Sequence, residues 1–233
     1  MTDPLSTPAD ALKSRTQAAL RREPSETRPR VARRESVLAV AGFAAALGVF
    51  AAVGGFRDLG APRPPQLIAI TLVGTIVLAI GSFRTSARRA GLPASREALL
   101  AVLLGAPLAL FAWKTSWSAA FDANIWWPTR PGLLCLAVSL TTGGVILASL
   151  LAARRHSDPV HPHLSGAALG VASGAAAAVF VDLWCPVGHP AHVALGHALP
   201  MLLLGLAGAW PGGRLLALGV AKTLRKDRNP AAD

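Results

Sequence analysis

Two cysteines and the histidines that follow the second are the residues best suited to thiol or metal chemistry. Cys135 and Cys185 form no CxxC motif and no paired Cys/His spacing, which excludes zinc fingers and thioredoxin-type centres. Other residues that could complete a soft-metal site with the cysteines lie near the second one: Asp182, His189, His192, His197 and Met201. Lone histidines are commonly surface residues, and buried cysteines commonly act as small apolar side chains. These residue types alone therefore assign no metal site and no cofactor.

No arrangement typical of an enzyme accompanies these donors. The sequence contains no nucleophile–base pairing, no phosphate-binding loop and no zinc-protease motif. We therefore assign no catalytic residue and predict that the protein is not an enzyme.

Both cysteines fall on stripes of small residues. Gly166, Gly170 and Gly174 follow one another at four-residue spacing, and Cys185 lies about 20° from Gly174 if the helix persists that far. Cys135 begins a similar series. Such stripes allow two helices to approach closely. Two interpretations stay open: a thiol pair close enough to form a disulfide, or two unrelated buried cysteines.

The segments that carry these residues are six apolar blocks. The chain is 52% hydrophobic and 15% charged, whereas a soluble domain carries about 25% charged residues. The blocks run approximately over residues 37–56, 66–83, 98–113, 133–152, 165–184 and 192–210. They do not alternate as barrel strands do, and backbone groups in lipid must bond internally. We therefore predict an all-α integral membrane protein, a bundle of six transmembrane helices. Pro107 and Pro200 should kink the third and sixth helices.

The distribution of positive charge predicts the orientation of this bundle in the membrane. Most of the 23 lysines and arginines lie in the N-terminal tail, the second and fourth loops and the C-terminal tail. By the positive-inside rule these segments, and thus both termini, are cytoplasmic. Residues 1–36 and 216–233 are then cytoplasmic tails around a membrane domain of residues 37–215. The net charge of +11 suits lipid headgroups better than direct nucleic-acid binding. Both cysteines are predicted near the outer surface, beside a surface loop from Lys114 to Gly132.

The N-terminal tail contains a short predicted helix from Ala11 to Arg22. Leu12 and Leu20 supply apolar positions, and Arg21 and Arg22 supply charge; these four are the candidate partner-binding residues. One interpretation is a segment that folds on a cytoplasmic partner. The other is a disordered basic tail that only fixes the topology.

The last third of the chain resembles a known family. The segment Pro162 to Gly170, the sequence Leu183-Trp184-Cys185-Pro186 and the apolar run His192 to Leu215 are similar to the NrsF family of bacterial membrane anti-sigma factors. The resemblance implies that the tail sequesters an extracytoplasmic-function sigma factor at the bacterial inner membrane. It also implies that Cys135 and Cys185 sense oxidants or heavy-metal ions.

The leading hypothesis is therefore a six-helix anti-sigma factor. A small metal or solute transporter, or an accessory membrane subunit, is the alternative, and the scarcity of polar residues in the spans counts against it. A third hypothesis is a scaffold that oligomerises through the glycine stripe.

Overall fold

The computed structural model describes residues 28–54, 65–86, 94–120, 132–155, 160–185 and 187–216. Over these residues the chain forms helices and no strand. Four helices are regular or nearly so: α1 (Arg28–Ala52), α2 (Pro65–Ser86), α4 (Leu133–Ala153) and α5 (Pro162–Trp184). Two contain a π-helical turn: α3 (Arg96–Leu100, π turn Ala101–Gly105, Ala106–Ala120) and α6 (Pro190–Val193, π turn Ala194–Ala198, Leu199–Leu215).

All six helices are long and apolar enough to cross a membrane. This finding confirms the prediction of an all-helical chain with six such segments. The predicted partner-binding residues Leu12, Leu20, Arg21 and Arg22 lie outside the described residues, as does most of the C-terminal tail. All packing discussed below lies within the compact unit that begins at Glu35.

Helix α5 forms the centre of the bundle, because its small side chains allow other helices to approach its backbone. Of its most apolar stretch, 83% is buried, and it packs against α2, α4 and α6. A Cβ added to Gly174 would lie 2.7 Å from Met201 Cα, and one added to Gly166 would lie 2.7 Å from Gly212 Cα. The glycines Gly166, Gly170 and Gly174 therefore lie directly against the backbone of α6.

The two prolines inside the predicted helices are each preceded by a π turn. Proline donates no backbone hydrogen bond, and its ring collides with the carbonyl four residues earlier. For Pro107 and Pro200 that carbonyl belongs to a residue within Ala101–Gly105 and Ala194–Ala198, respectively. The chain thus accommodates each proline by widening the preceding turn, a local change often found at functional sites.

Helix α1 is the least buried of the six, with 17% of its most apolar stretch covered by protein. Near its end, Phe50 packs in one cluster with Cys135 at the start of α4 and with Val181 and Cys185 at the end of α5, at the end of the bundle that carries both cysteines. We call this the thiol end.

Candidate functional site

The start of α4 places Cys135 against α6. Gly132 precedes the helix with a φ of 98°, a left-handed conformation that glycine adopts without strain. A Cβ on Gly132 would lie 3.2 Å from the His192 carbonyl oxygen, and one on Gly196 would lie 2.9 Å from Cys135 Cβ. Two glycines from separate helices thus allow the Cys135 side chain to reach the interior of the thiol end.

Cys185 reaches the same place from the end of α5. The helix ends at Trp184, and Cys185 is extended, with φ −84° and ψ 119°. The proline that follows disfavours helical geometry at this residue, and the Cys185 amide still donates to the Val181 carbonyl at 2.7 Å. The hydrogen bond with the Cys135 thiol lowers the pKa of the Cys185 thiol because it stabilises the thiolate.

The π turn of α6 brings two histidines together. In a regular α-helix, residues five apart point in directions about 140° apart. The π turn Ala194–Ala198 widens the helix between His192 and His197, and their ring centroids lie 5.5 Å apart. Both rings are 1% exposed. The irregularity that Pro200 imposes therefore has a chemical result, a pair of imidazoles facing one interior point.

The four side chains converge. His192 Nε2 lies 3.0 Å from Cys185 Sγ and 3.5 Å from Cys135 Sγ. One donor atom from each of Cys135, Cys185, His192 and His197 can be chosen so that all lie within 4.8 Å of one another. Both cysteines are buried and are present as thiols rather than as a disulfide. Two sulfurs and two imidazole nitrogens at this separation form a donor set suited to a soft or borderline metal ion.

Two other residues considered as donors from the sequence lie elsewhere. His189 accepts a hydrogen bond from the Ala191 amide at 3.3 Å and so caps the start of α6. Met201 is fully buried in a separate apolar cluster with Leu99 and Leu110.

Asp182 belongs to a buried charged network next to the four donors. It forms an ion pair with Lys114, and Thr75 donates to its Oδ2 at 2.6 Å. Lys114 Nζ also lies 2.8 Å from His197 Nδ1. Because an ammonium group can only donate, Nδ1 accepts this hydrogen bond. The network therefore runs from α2 through α5 and α3 to one of the two imidazoles.

The position of Lys114 differs from the sequence-based expectation. The sequence assigned this residue to a surface loop, whereas the structure continues α3 to Ala120 and leaves Lys114 6% exposed. No glycine or proline lies between Lys114 and Ala120 to end the helix. The partner of the lysine lies on another helix, far away in sequence, so no local pattern revealed the pair.

One nitrogen of the site makes no hydrogen bond. His197 Nε2 is buried and has no such partner within the described ranges. A buried polar atom without a hydrogen bond costs about 1–3 kcal/mol. Coordination of an ion at this nitrogen would remove that cost, which makes the atom a suitable ligand.

Comparison with known proteins agrees with the resemblance noted in the sequence. Residues 20–217 match the family described as negative regulator of sigma F, NrsF. The chain belongs to the NrsF family. All four converging donors, and Lys114 and Asp182, lie within the matched NrsF region.

A curated NrsF relative also matches. The chain is 39% identical over 82 residues to the protein named anti-sigma-F factor NrsF of Caulobacter vibrioides. This stretch covers 35% of the chain and 38% of that relative. No solved structure matches. The NrsF match begins at residue 20, so it includes the candidate residues Leu20, Arg21 and Arg22 and leaves out Leu12.

Proposed function

We propose that this protein is a membrane anti-sigma factor that holds an extracytoplasmic-function sigma factor at the cytoplasmic face of the bacterial inner membrane. NrsF membership and the name of the Caulobacter relative support the sigma-factor partner. The six apolar helices and the clustering of basic residues support a multi-pass protein with both termini cytoplasmic. The tail of residues 1–36 is the segment proposed to bind the sigma factor, through Leu12, Leu20, Arg21 and Arg22.

We further propose that a thiophilic heavy-metal ion, such as Cd²⁺, releases the sigma factor by binding at the thiol end. The convergence of Cys135, Cys185, His192 and His197 within 4.8 Å carries this proposal. An oxidant would react with the same thiols, but thiol oxidation requires no imidazole ligand. The two buried histidines therefore favour a metal ion over an oxidant as the inducer. On binding, both thiols release their protons to solvent, and the two thiolates neutralise a divalent cation, which lowers the cost of burying it in an apolar bundle.

Asp182 is suited to orient His197 in the bound form. A metal-bound histidine usually donates its second ring N–H to a carboxylate. Asp182 Oδ1 lies 3.8 Å from His197 Nδ1, close enough to accept that hydrogen bond after a small shift. Lys114, which donates to Nδ1 in the present structure, then keeps Asp182 as its partner.

The partner is tested by co-purification from membranes that contain the full-length protein and an extracytoplasmic-function sigma factor from the same bacterium. Deletion of residues 1–34 should abolish both sigma-factor binding and repression. Retention of both by the truncated protein would refute the role of the tail.

The inducer is tested with a sigma-dependent reporter exposed separately to Cd²⁺ and to the thiol oxidant diamide. Cys135→Ser and Cys185→Ser should abolish the Cd²⁺ response, and so should His192→Ala. His189→Asn is the matched control, because asparagine can still cap α6 and residue 189 is not among the four donors. Normal induction by Cd²⁺ in the His192→Ala variant would show that the imidazoles bind no inducer.

A further inference from the structure

A stripe of buried residues holds α1 against the bundle. Over the described side chains of this helix, only Gly42, Ala46 and Phe50 are buried, at four-residue spacing. The stripe faces α4 and α5: a Cβ on Gly42 would lie 2.6 Å from Ser149 Cβ, and Ala46 packs in one cluster with Ile146 and Ala176. Most other residues of α1 are exposed on the bundle surface, where lipid would surround them. Contacts along this stripe hold α1 against α4 and α5, and the ring of Phe43, 5.9 Å from that of Phe83, adds a contact with α2.

Phe50 is the large side chain of the stripe, and it is buried among the residues of the thiol end. It is 0% exposed and belongs to the same apolar cluster as Cys135, Cys185, Val181 and Trp184. Its ring centroid lies 5.7 Å from that of Phe180, the spacing of a favourable aromatic pair. The strongest attachment of α1 therefore lies in the apolar shell of the thiols.

Metal binding would change the shape of that shell. Tetrahedral coordination of Zn²⁺, with metal–sulfur bonds of about 2.3 Å and metal–nitrogen bonds of about 2.0–2.1 Å, places donor atoms about 3.3–3.8 Å apart, and the larger Cd²⁺ ion places them somewhat farther apart. The four donor atoms are now unevenly spaced: His192 Nε2 lies 3.0 Å from Cys185 Sγ, whereas the four lie within 4.8 Å of one another overall. Metal binding must therefore move some donors inward and the closest pair apart, by up to about 1 Å. A close-packed cluster does not absorb such a movement smoothly, because its side chains have few alternative arrangements.

We propose that Phe50 couples the thiol end to the N-terminal tail: rearrangement of the four donors around the metal displaces the Phe50 ring and loosens α1. This inference rests on the proposed function and adds the structural element that transmits its signal. α1 begins at Arg28, inside the segment proposed to bind the sigma factor. Because Phe50 belongs to the same continuous helix, a displacement of Phe50 also shifts the part of α1 that lies in the tail.

The test is amide hydrogen exchange, measured by mass spectrometry on the full-length protein in detergent micelles with and without Cd²⁺. Loosening of α1 should raise exchange in its residues by about threefold or more. Phe50→Ala should raise α1 exchange without metal and should remove the further increase on adding Cd²⁺. Leu47→Ala, on the exposed face of the same helix, is the matched control and should behave as wild type.

A second pair of variants tests the coupling without metal. Val181→Ala removes two methyl groups from the Phe50 cluster and should raise exchange in α1. Val171→Ala makes the same change on the same helix, in a different buried cluster, and should leave α1 unchanged.

The outcomes separate this inference from the proposed function. If α1 exchanges at the wild-type rate in both the Phe50→Ala and the Val181→Ala variants, the coupling is overturned, whether or not Cd²⁺ binds. Cd²⁺ binding that leaves α1 exchange unchanged in the wild-type protein would overturn it as well. If both variants loosen α1 and Cd²⁺ does not bind, the coupling is supported and the proposed metal inducer is refuted.

Discussion

Replacing Lys114 by methionine should destabilise the bundle strongly, because it removes the charge that compensates a buried carboxylate. The two side chains of the ion pair are 8% and 1% exposed for Lys114 and Asp182. Methionine has a similar length and no charge, so apolar packing is largely kept. Removal of one partner of a buried ion pair costs about 3–5 kcal/mol. His197 also loses the donor that lies 2.8 Å from its Nδ1, so we expect the upper part of this range.

The double variant Lys114→Met/Asp182→Leu should recover much of that loss. Replacement of both members of a buried pair by apolar residues is often neutral or stabilising. Thr75, which now donates to Asp182, keeps the Thr71 carbonyl as an acceptor at 2.9 Å. The lost donor to His197 remains, at a cost of about 1–3 kcal/mol. The double variant should therefore be more stable than the single variant by about 2 kcal/mol or more.

The assay is equilibrium unfolding in mixed micelles of a mild detergent and sodium dodecyl sulfate, followed by tryptophan fluorescence. Thr141→Ala changes an exposed residue of α4 and is the control for the effect of an ordinary substitution. Its free energy of unfolding should stay within about 0.5 kcal/mol of wild type. A Lys114→Met protein as stable as wild type, or a double variant no more stable than the single one, would refute the role assigned to the pair.

Two further predictions concern the glycine stripe and the metal donors. Gly174→Ala should destabilise the protein by about 1–3 kcal/mol through overpacking against α6. Gly144→Ala is the control and should not destabilise it, because a Cβ there would meet nothing within 4 Å. Chemical unfolding of both variants measures the difference. His192→Ala should weaken Cd²⁺ binding by roughly 100-fold, since it removes one of four ligands and structural zinc sites with four ligands bind with about 10–16 kcal/mol. His189→Asn should change it little, and competition titration against a chelator measures both. Equal Cd²⁺ affinities for the two histidine variants would exclude His192 from the donor set.

The sequence predicted the helices well because each of them is a local feature. Long apolar blocks without alternation exclude barrel strands, and the blocks recur as six helices in the described residues. The end of α3 was predicted too early, at Trp113, because a lysine in an apolar segment suggests the edge of a membrane. The structure instead neutralises Lys114 inside the bundle with Asp182, and that pairing depends on tertiary contacts that no local pattern contains.

The candidate site was predictable in part. The topology predicted that Cys135 and Cys185 lie at the same end of the bundle, and the nearby histidines were visible as donors. Which histidines join the thiols depends on the π turn at Ala194–Ala198. A regular helix would have turned His192 and His197 about 140° apart. Pro200 signalled an irregularity, but a proline can bend a helix in several ways, so the choice required the structure.

The energetics of release favour α1 as the moving element. A ligand shifts a conformational equilibrium only by the difference in its affinity for the two states, and a shift from 1:99 to 99:1 requires about 5.5 kcal/mol. Structural zinc sites with four donors bind with about 10–16 kcal/mol. A metal can therefore supply this difference only if displacement of the moving element costs little. α5, with 83% of its most apolar stretch buried, is too tightly packed to move, whereas α1 has 17% buried. The helix connected to the proposed sigma-binding tail is thus also the one whose displacement costs least.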